Sequence, residues 1–541
     1  MADLKQRSQQ NLQDNKSSPW APFAFPAFSV LWAATVVSNI GTLMSEVGTS
    51  WLMTSLSSDP LMVALVQSAT ALPMFLFALP AGAFADRIDR RRMLLKAQLL
   101  MSFLALILTI MVINELMTPA LLLLFTFLLG TCAAFTAPAW QSIITSLVSK
   151  DTLTAAVAMN SIGINVSRAI GPALAGFVII SFGIGAPFVL NTISFICVIA
   201  ALLWWKPATK AKTELPPEHL LDSIFTGARH AFYSPALKNT LVRAFCFFIC
   251  GSAFWALLPL YVLEIGGEAT LYGILLGAIG AGAVGGAIVL QPVRAKLGAN
   301  RLVAASSIGL AIIVTLTAIF ARPATTILAC VLYGTGWIWV LSSLNVAAQL
   351  ALPEWIRARG LAIYLAVFFG SMSLGSAIWG QVASMTNIPT AMITSSILML
   401  LLIVASQKYS LSKETQYDHA PSMQWPAPLV SSDVDAEKGP VLSMIEYRIA
   451  ESNQEEFLSD IEELGQTRMR LGAYQWGVTR DLSDQEHFIE YFFETSWVQH
   501  LRHHEHMSNS DREIQLKVYR HLKISTKPEV KHMINARLPT H

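Results

Sequence analysis

Five stretches of this chain, 116–149, 169–205, 269–293, 323–353 and 360–407, contain no Asp, Glu, Lys or Arg. A helix needs about 20 apolar residues to cross a bilayer. A charge at its centre costs roughly 2.5–3.5 kcal/mol on insertion scales. Uncharged runs of this length are therefore spans, and the longest must each hold more than one. The rest of the chain is built differently. Only 13% of the 541 residues are charged and 54% are hydrophobic, against about 25% charged in an ordinary soluble domain. Half of all the charges lie from Lys408 onward. This distribution excludes a single soluble domain, a disordered chain, a collagen and a disulfide scaffold. It predicts a polytopic membrane part followed by a soluble one. The formal net charge of +2 gives no case for a nucleic-acid partner.

Breaking the apolar runs at Gly, Pro and Asn turns predicts twelve spans. They are 27–48, 60–83, 93–114, 119–147, 153–181, 185–205, 237–263, 269–293, 302–321, 324–351, 358–385 and 389–407. One set of connecting loops holds Arg87, Arg90, Arg91, Arg92, Lys150, Lys206, Lys210, Lys212, Arg229, Arg294, Lys296, Arg301, Arg357 and Arg359. The alternate loops hold Asp59, Glu115, Glu264, Glu268 and, as their one cation, Arg322. Positive loops stay inside, so both termini are predicted to be cytoplasmic. Residues 1–20 are polar, lack a signal-peptide core and read as a disordered cytoplasmic arm. Six spans at 21–205 and six at 237–407 flank a loop at 206–236. In that loop Leu220, Leu221, Ile224, Phe225, Ala228 and Phe232 recur at helical spacing, which suits a helix lying on the inner leaflet. The six-loop-six layout suggests two related halves. All five cysteines fall in apolar runs and read as small hydrophobes inside packed helices.

Beyond the spans, 408–440 is rich in Ser, Pro, Asp and Lys and reads as a linker. Residues 441–525 then alternate and repeat as β-α-β-β-α-β, the order of a ferredoxin-like unit. Strands are predicted at 441–449, 474–480 and 487–494, helices at 455–471 and 497–507, and a last strand at 516–521. A tail, 526–541, remains. His500, His503, His504 and His506 lie at spacings that share helix faces, but Arg502 and Glu505 among them read as an exposed helix. No metal is expected there.

Several motifs bear on function. After the second span, Gly82, Asp86, Arg87, Arg90, Arg91 and Arg92 are spaced as G-x-x-x-D-R-x-x-R-R. A glycine lets another helix approach, and a carboxylate can meet the positive N-terminus of a neighbouring helix. The arginines can pair with carboxylates or with anionic lipid. A degraded counterpart, Gly286 to Arg301, lacks the acidic residue. In the fifth span Gly171 and Gly176 permit close packing, while Pro172 removes a backbone donor. Ionisable residues inside spans are functional candidates by default, and Glu46 and Arg168 stand out. Glu46 can take and release a proton. Arg168 keeps its charge and suits either an anionic substrate group or a structural counter-ion. Asn39, Trp140, Gln141, Asn160, Asn165, Trp255, Trp337, Trp339 and Asn345 are candidates to line a central cavity for a bulky, partly apolar solute. No G-x-x-x-x-G-K-[ST] phosphate loop is present, so an ion gradient must supply the work.

The Gly82–Arg92 pattern, placed after span two of twelve, resembles the cytoplasmic signature of the major facilitator superfamily. The resemblance implies an all-α membrane fold with twelve transmembrane helices in two six-helix halves. It also implies a latch of Gly82, Asp86, Arg87, Arg90 and Arg91 with Arg359 at the start of span eleven. Gly171, Pro172 and Gly176 resemble the span-five motif of drug–proton antiporters, with fewer glycines after the proline. Pro138, Trp140 and Gln141, then Asn160, Asn165 and Arg168, then Arg357, Arg359 and Gly360 resemble the enterobactin-exporter-like and drug-exporter branch. This implies secondary transport in a bacterial inner membrane, outward, of a small organic solute against protons, without cofactor or catalysis. An inward facilitator or lipid flippase stays open. Glu494, Trp497, His500, His503 and His504 sit in a stretch similar to antibiotic-biosynthesis-monooxygenase-like domains. That similarity implies an α+β tail that regulates or assembles, with possible dimers through its sheet. The alternative is a tail that acts as a cofactor-free enzyme.

Overall fold

The structure is a computed structural model of the chain, and it describes residues 20–87, 89–205, 220–353, 355–411, 438–523 and 528–534. The predicted N-terminal arm, most of the linker and the end of the tail lie outside the described residues. So do the side chains of Gly82, Asp86, Arg87, Arg90 and Gln141.

Among the described residues eleven helices are long and apolar enough to cross a membrane. The first half contains α1 (Pro26–Leu56), α2 (Pro60–Arg87), α3 (Arg90–Ile113), α4 (Pro119–Leu147), α5 (Leu153–Phe182) and α6 (Ala186–Trp204). A shorter helix, α7 (Leu220–Tyr233), follows where the amphipathic loop helix is expected. The second half contains α8 (Pro235–Glu264), α9 (Ala269–Ile319), α10 (Pro323–Leu350), α11 (Arg357–Met385) and α12 (Ile388–Ser406). Where the sequence predicts two spans, 269–293 and 302–321, one helical run of 51 residues stands instead. At 1.5 Å per residue it is far longer than a bilayer core is thick. It is broken at Gly298, whose φ of 73° is open to glycine and strained for other residues. The arms on either side of Gly298 are each long enough for one crossing.

The helix starts are written locally. Proline stands in the first turn of α1, α4, α6 and α12, where its missing N–H costs nothing. Thr118, Asp89 and Asn387 cap α4, α3 and α12 by accepting from the N–H groups of Leu121, Arg92 and Thr390. The end of α6 is held by Arg91. Its Nε donates to Leu202 O at 2.8 Å and a terminal nitrogen to Leu203 O at 2.9 Å. Arg91, expected in a latch, is thus spent on carbonyls that the helix end leaves unpaired. The second half meets the same need with Arg243 on α8. It is buried and bonds Ser406 O, the Gln407 side chain and Asn300 Oδ1.

The chain divides into two compact units. One holds most of the spans. The other holds 218–241, 346–363 and the soluble tail. In the tail, β1 (Val441–Arg448), α13 (Gln454–Leu471), β2 (Gln475–Arg480), β3 (His487–Glu494), α14 (Trp497–His506), α15 (Asn509–Arg520) and β4 (Glu529–Ile534) follow in order. The sheet runs β2-β3-β1-β4 with every pairing antiparallel, the ferredoxin-like arrangement. Phe457, Ile461 and Leu464 of α13 pack on Ile445, Tyr447, Phe488 and Phe492 of the sheet. The last strand is not at 516–521. That stretch lies in or just after α15, which starts with a reciprocal cap between Ser508 and Asp511 and buries Asp511, Gln515 and Val518 at helical spacing. The fourth strand comes from 529–534, so the domain runs beyond the predicted boundary at 525. Its core also holds a charged pair. Arg468 Nε lies 3.2 Å from Glu490 Oε1, and both side chains are fully buried. The hydroxyl of Tyr447 and the indole N–H of Trp476 also donate to Glu490, at 2.7 and 3.1 Å.

Two outcomes follow. Arg91→Ala lowers stability by about 1 kcal/mol through loss of the α6 cap, seen as a lower thermal midpoint in detergent. Lys at that position recovers only part of it, because one ammonium cannot reproduce the two-pronged contact. Glu490→Gln costs the tail about 3–5 kcal/mol by leaving Arg468 buried without its counter-charge. Hydrogen–deuterium exchange in the full-length protein then rises across β1–β3.

Candidate functional site

The two halves of the membrane unit meet through small residues. A Cβ on Gly176 of α5 would lie 2.9 Å from Ala269 O and 3.1 Å from the Thr270 Cα, both on α9. A Cβ on Gly273 of α9 would lie 2.7 Å from Pro172 O. The span-five motif therefore lets the backbones of the two halves touch. Gly171 faces its own half, where a Cβ would come 2.9 Å from Leu43 Cβ on α1. A second contact joins α2 and α11. Ser68 Oγ donates to Ser373 O at 2.7 Å, and Ser373 Oγ returns a bond to Ser68 O at 3.3 Å.

Glu46 lies beside the first of these contacts. It is accessible by surface area yet surrounded by protein, as a group lining an internal opening is. Arg168 of α5 is the cation that acts on it electrostatically. Tyr272 of α9 comes from the other half. Its hydroxyl bonds to Ser50, it senses the Glu46 charge, and its ring stacks on Trp51 at 6.0 Å and 24°. The two ionisable residues singled out from sequence are thus brought together. Their meeting with Tyr272 and Trp51 was not foreseen, since an aromatic in an apolar span carries no mark of its own.

Other expected lining residues are placed differently. Trp337 is 8% exposed and packs within the second half against Phe247, Phe248, Trp255 and Tyr333, at centroid distances of 5.4–5.9 Å. Trp339 donates to Gly286 O at 2.8 Å and ties α10 to α9. Trp140 packs on the core of the first half around Phe28, Leu31 and Leu94. The Asn165 amide bonds Ser161 O on its own helix at 2.9 Å. Asn39, Asn160 and Asn345 are half-buried. Arg359 is half-buried and lies against α7, where a Cβ on Gly227 would be 3.2 Å from its Cβ. The latch contacts of Asp86 and Arg90 lie outside the described residues. Arg243 is the residue that sequence reasoning missed, although a charge inside the span 237–263 was the signal that could have found it.

The tail holds a second constellation, and here the reading of an exposed helix fails. His500 and His503 are 1% and 3% exposed. They point inward because α14 lies across the sheet face that carries Glu494. Glu494 is fully buried and accepts from His500 Nδ1 at 2.5 Å and His503 Nδ1 at 2.6 Å. Burial alone would raise its pKa, but the two imidazoles more than offset this and hold the carboxyl well below its usual range. His504 Nε2 lies 3.1 Å from His500 Nε2. His532 of β4 completes the group, its ring 4.6 Å from that of His500. Burial, then the neighbouring imidazoles, push His504 down to about 3 and His532 to about 4. These rings are neutral at physiological pH.

Comparison with known proteins agrees with the membrane architecture. The sequence profile of the transmembrane secretion effector family matches residues 17–540. The staphyloferrin A transporter of Staphylococcus aureus is 25% identical over 349 residues, covering 62% of this chain and 84% of that protein. The enterobactin exporter EntS of Shigella flexneri is 24% identical over 405 residues, covering 71% and 93%. The multi-drug resistance efflux pump PmrA of Streptococcus pneumoniae is 26% identical over 328 residues, covering 58% and 78%. Among solved structures, an inward-facing bacterial homologue of the human lysosomal transporter Spinster superposes with a TM-score of 0.56 at 13% identity, covering 71% of this chain and 95% of that one. The nucleoside transporter NupG gives 0.57 at 13% identity, covering 71% and 99%. The two structures establish the fold, and the profile, which spans nearly the whole chain, establishes that this protein belongs to the transmembrane secretion effector family of major facilitator transporters.

Proposed function

We propose that the protein exports a small, partly hydrophobic organic solute, of the drug or siderophore class, across a bacterial inner membrane in exchange for protons. Both termini face the cytoplasm in this reading, as the loop charges require. The direction and solute class are supported by the relatives, which are named as siderophore and multidrug transporters. The observation that carries the mechanism is the position of Glu46. Its charge is coupled to Arg168 in its own half and to Tyr272 of the other, beside the contact that must part when the chamber opens outward. A proton arriving at Glu46 removes the charge that Arg168 balances. That changes the electrostatics of the very surface on which the halves meet. The solute then moves by alternating access, the Gly176–Gly273 contact closing one side while the other is open.

The tail belongs to this scheme as a regulator. Trp355, in the turn before α11, stacks face to face on His506 of α14, with ring centroids 3.9 Å apart and planes within 2°. His230 of α7 meets the same indole edge-on at 5.8 Å. The tail is thereby in touch with the turn that leads into α11.

Three measurements test the proposal. Energised inverted vesicles carrying the wild-type protein accumulate dye or catecholate chelators, and an uncoupler collapses the gradient. Accumulation in right-side-out vesicles instead would establish an inward carrier. Glu46→Gln abolishes acceleration by an imposed pH difference and leaves solute-driven exchange in place; retained proton coupling removes Glu46 from its role. Gly176→Leu forces the touching backbones apart, at a cost of about 1–3 kcal/mol for overpacking. It lowers transport roughly 10-fold or more by that energy, and raises thiol labelling of a cysteine placed at Ser50. Unchanged labelling would show that this contact does not close the chamber.

A further inference from the structure

We propose that the soluble tail binds one divalent transition-metal ion of the zinc class through His500, His504 and His532. One ligand atom from each of these side chains lies within 4.8 Å of the others. His500 and His504 stand four apart on α14, so they project from one face. His532 comes from β4, where it pairs with Ser443 of β1. The three ligands thus come from two elements far apart in sequence, and the fold alone brings them together. With bonds of 2.0–2.1 Å, tetrahedral coordination puts neighbouring nitrogens about 3.3 Å apart. The Nε2 atoms of His500 and His504 are already at 3.1 Å.

The carboxylate of Glu494 strengthens the assignment. An ionised carboxylate only accepts hydrogen bonds, so the 2.5 Å contact places the proton of His500 on Nδ1. The lone pair of that ring is then on Nε2, facing His504. A carboxylate behind a ligating imidazole fixes both tautomer and orientation and raises ligand basicity. Trp497 stacks on His500 at 5.1 Å and 28°, which locks the ring from the other side. His504 and His532 are half-buried, so an ion and a fourth ligand can reach the site from solvent. Three imidazole nitrogens suit Zn²⁺ or its late first-row neighbours rather than Mg²⁺ or Ca²⁺, which select oxygen.

The test uses the full-length protein in lipid nanodiscs, stripped with chelator and dialysed against zinc chloride, with the retained metal measured by mass spectrometry. Cobalt(II) loading gives a separate optical readout, the intense visible bands of a tetrahedral site. The wild type retains one ion per chain. His504→Ala and His532→Ala, both at half-buried positions, weaken binding by at least about 100-fold, more than an orienting partner is worth. Glu494→Gln weakens it by about 10–100-fold, and His521→Ala, outside the group, binds as wild type. Monodisperse elution confirms that each variant is folded. The proposal is overturned if the wild type retains no stoichiometric metal, which would leave a hydrogen bond between two imidazoles only. Undiminished binding by the His504 and His532 variants would likewise overturn it.

Discussion

A backbone N–H or C=O in hydrocarbon has no water to turn to, so a chain that crosses a bilayer satisfies itself as helices. That constraint also governs the side chains. Thr35, Thr49, Thr109, Thr126 and Ser307 each return their hydroxyl to a carbonyl four residues earlier on the same helix. Hydroxyls spent in this way hold little between helices. The contacts that remain are made by backbones that glycine allows to touch. Gly282 of α9 packs on the Val331 carbonyl of α10, and Gly334 of α10 on the Ile279 carbonyl of α9, so closely that no Cβ fits at either, and they weld the second half together. Gly176 and Gly273 use the same chemistry between the halves, at a less close approach of 2.7–2.9 Å to the facing carbonyls against 1.9 Å.

The difference between a weld and a gate is one of magnitude. Interhelical hydrogen bonds inside membranes average about 0.6 kcal/mol, so the reciprocal bonds of Ser68 and Ser373 hold the halves only lightly. One elementary charge crossing 100 mV yields about 2.3 kcal/mol. A single coupled proton can therefore outweigh such contacts. The bonds by which Arg91 and Arg243 close the ends of α6 and α12 lie within each half rather than between them. The bonds between the halves are thus light, as the proposed alternating access needs.

Much of this was legible from residues alone, because membrane insertion writes itself as long uncharged runs and lopsided loops. Among the described residues eleven helices fall where the twelve predicted spans do, and the discrepancy is confined to Gly298, where one glycine at a φ of 73° separates two arms of one helical run. The β-α-β-β-α order of the tail was equally readable from periods of two and of 3.6. Its end was not. Leu516–His521 alternates well enough to pass for a strand, and the Ser508–Asp511 cap that begins a helix there is a weaker mark than a row of apolar residues. The site was partly legible. Glu46 and Arg168 announced themselves as charges in spans, but Tyr272 and Trp51 look like any other aromatics there. Trp337 packs against aromatics of its own half, which its place in an apolar run did not mark. The histidines misled for a related reason. Arg502 and Glu505 marked one face of α14 as solvated, and the opposite face was credited with nothing, since its partner Glu494 lies on a separate strand.

Buried ion pairs are a poor way to stabilise a small sheet, since desolvation consumes most of what the charges gain. Yet the face of β3 that α13 and α14 cover carries two buried carboxylates, Glu490 paired with Arg468 and Glu494 accepting hydrogen bonds from His500 and His503. Such groups specify orientation better than apolar ones, because a misplaced helix leaves a charge stranded. The orientation they specify is that of α14, and α14 also carries His506, the ring stacked on Trp355. His500, His504 and His506 lie within about two turns of one helix, so a ligand that draws the first two toward His532 must also bear on the third. Trp355 stands at the entrance to α11, whose Ser373 meets Ser68 across the halves. α14 thus runs from the histidine cluster to the turn before α11.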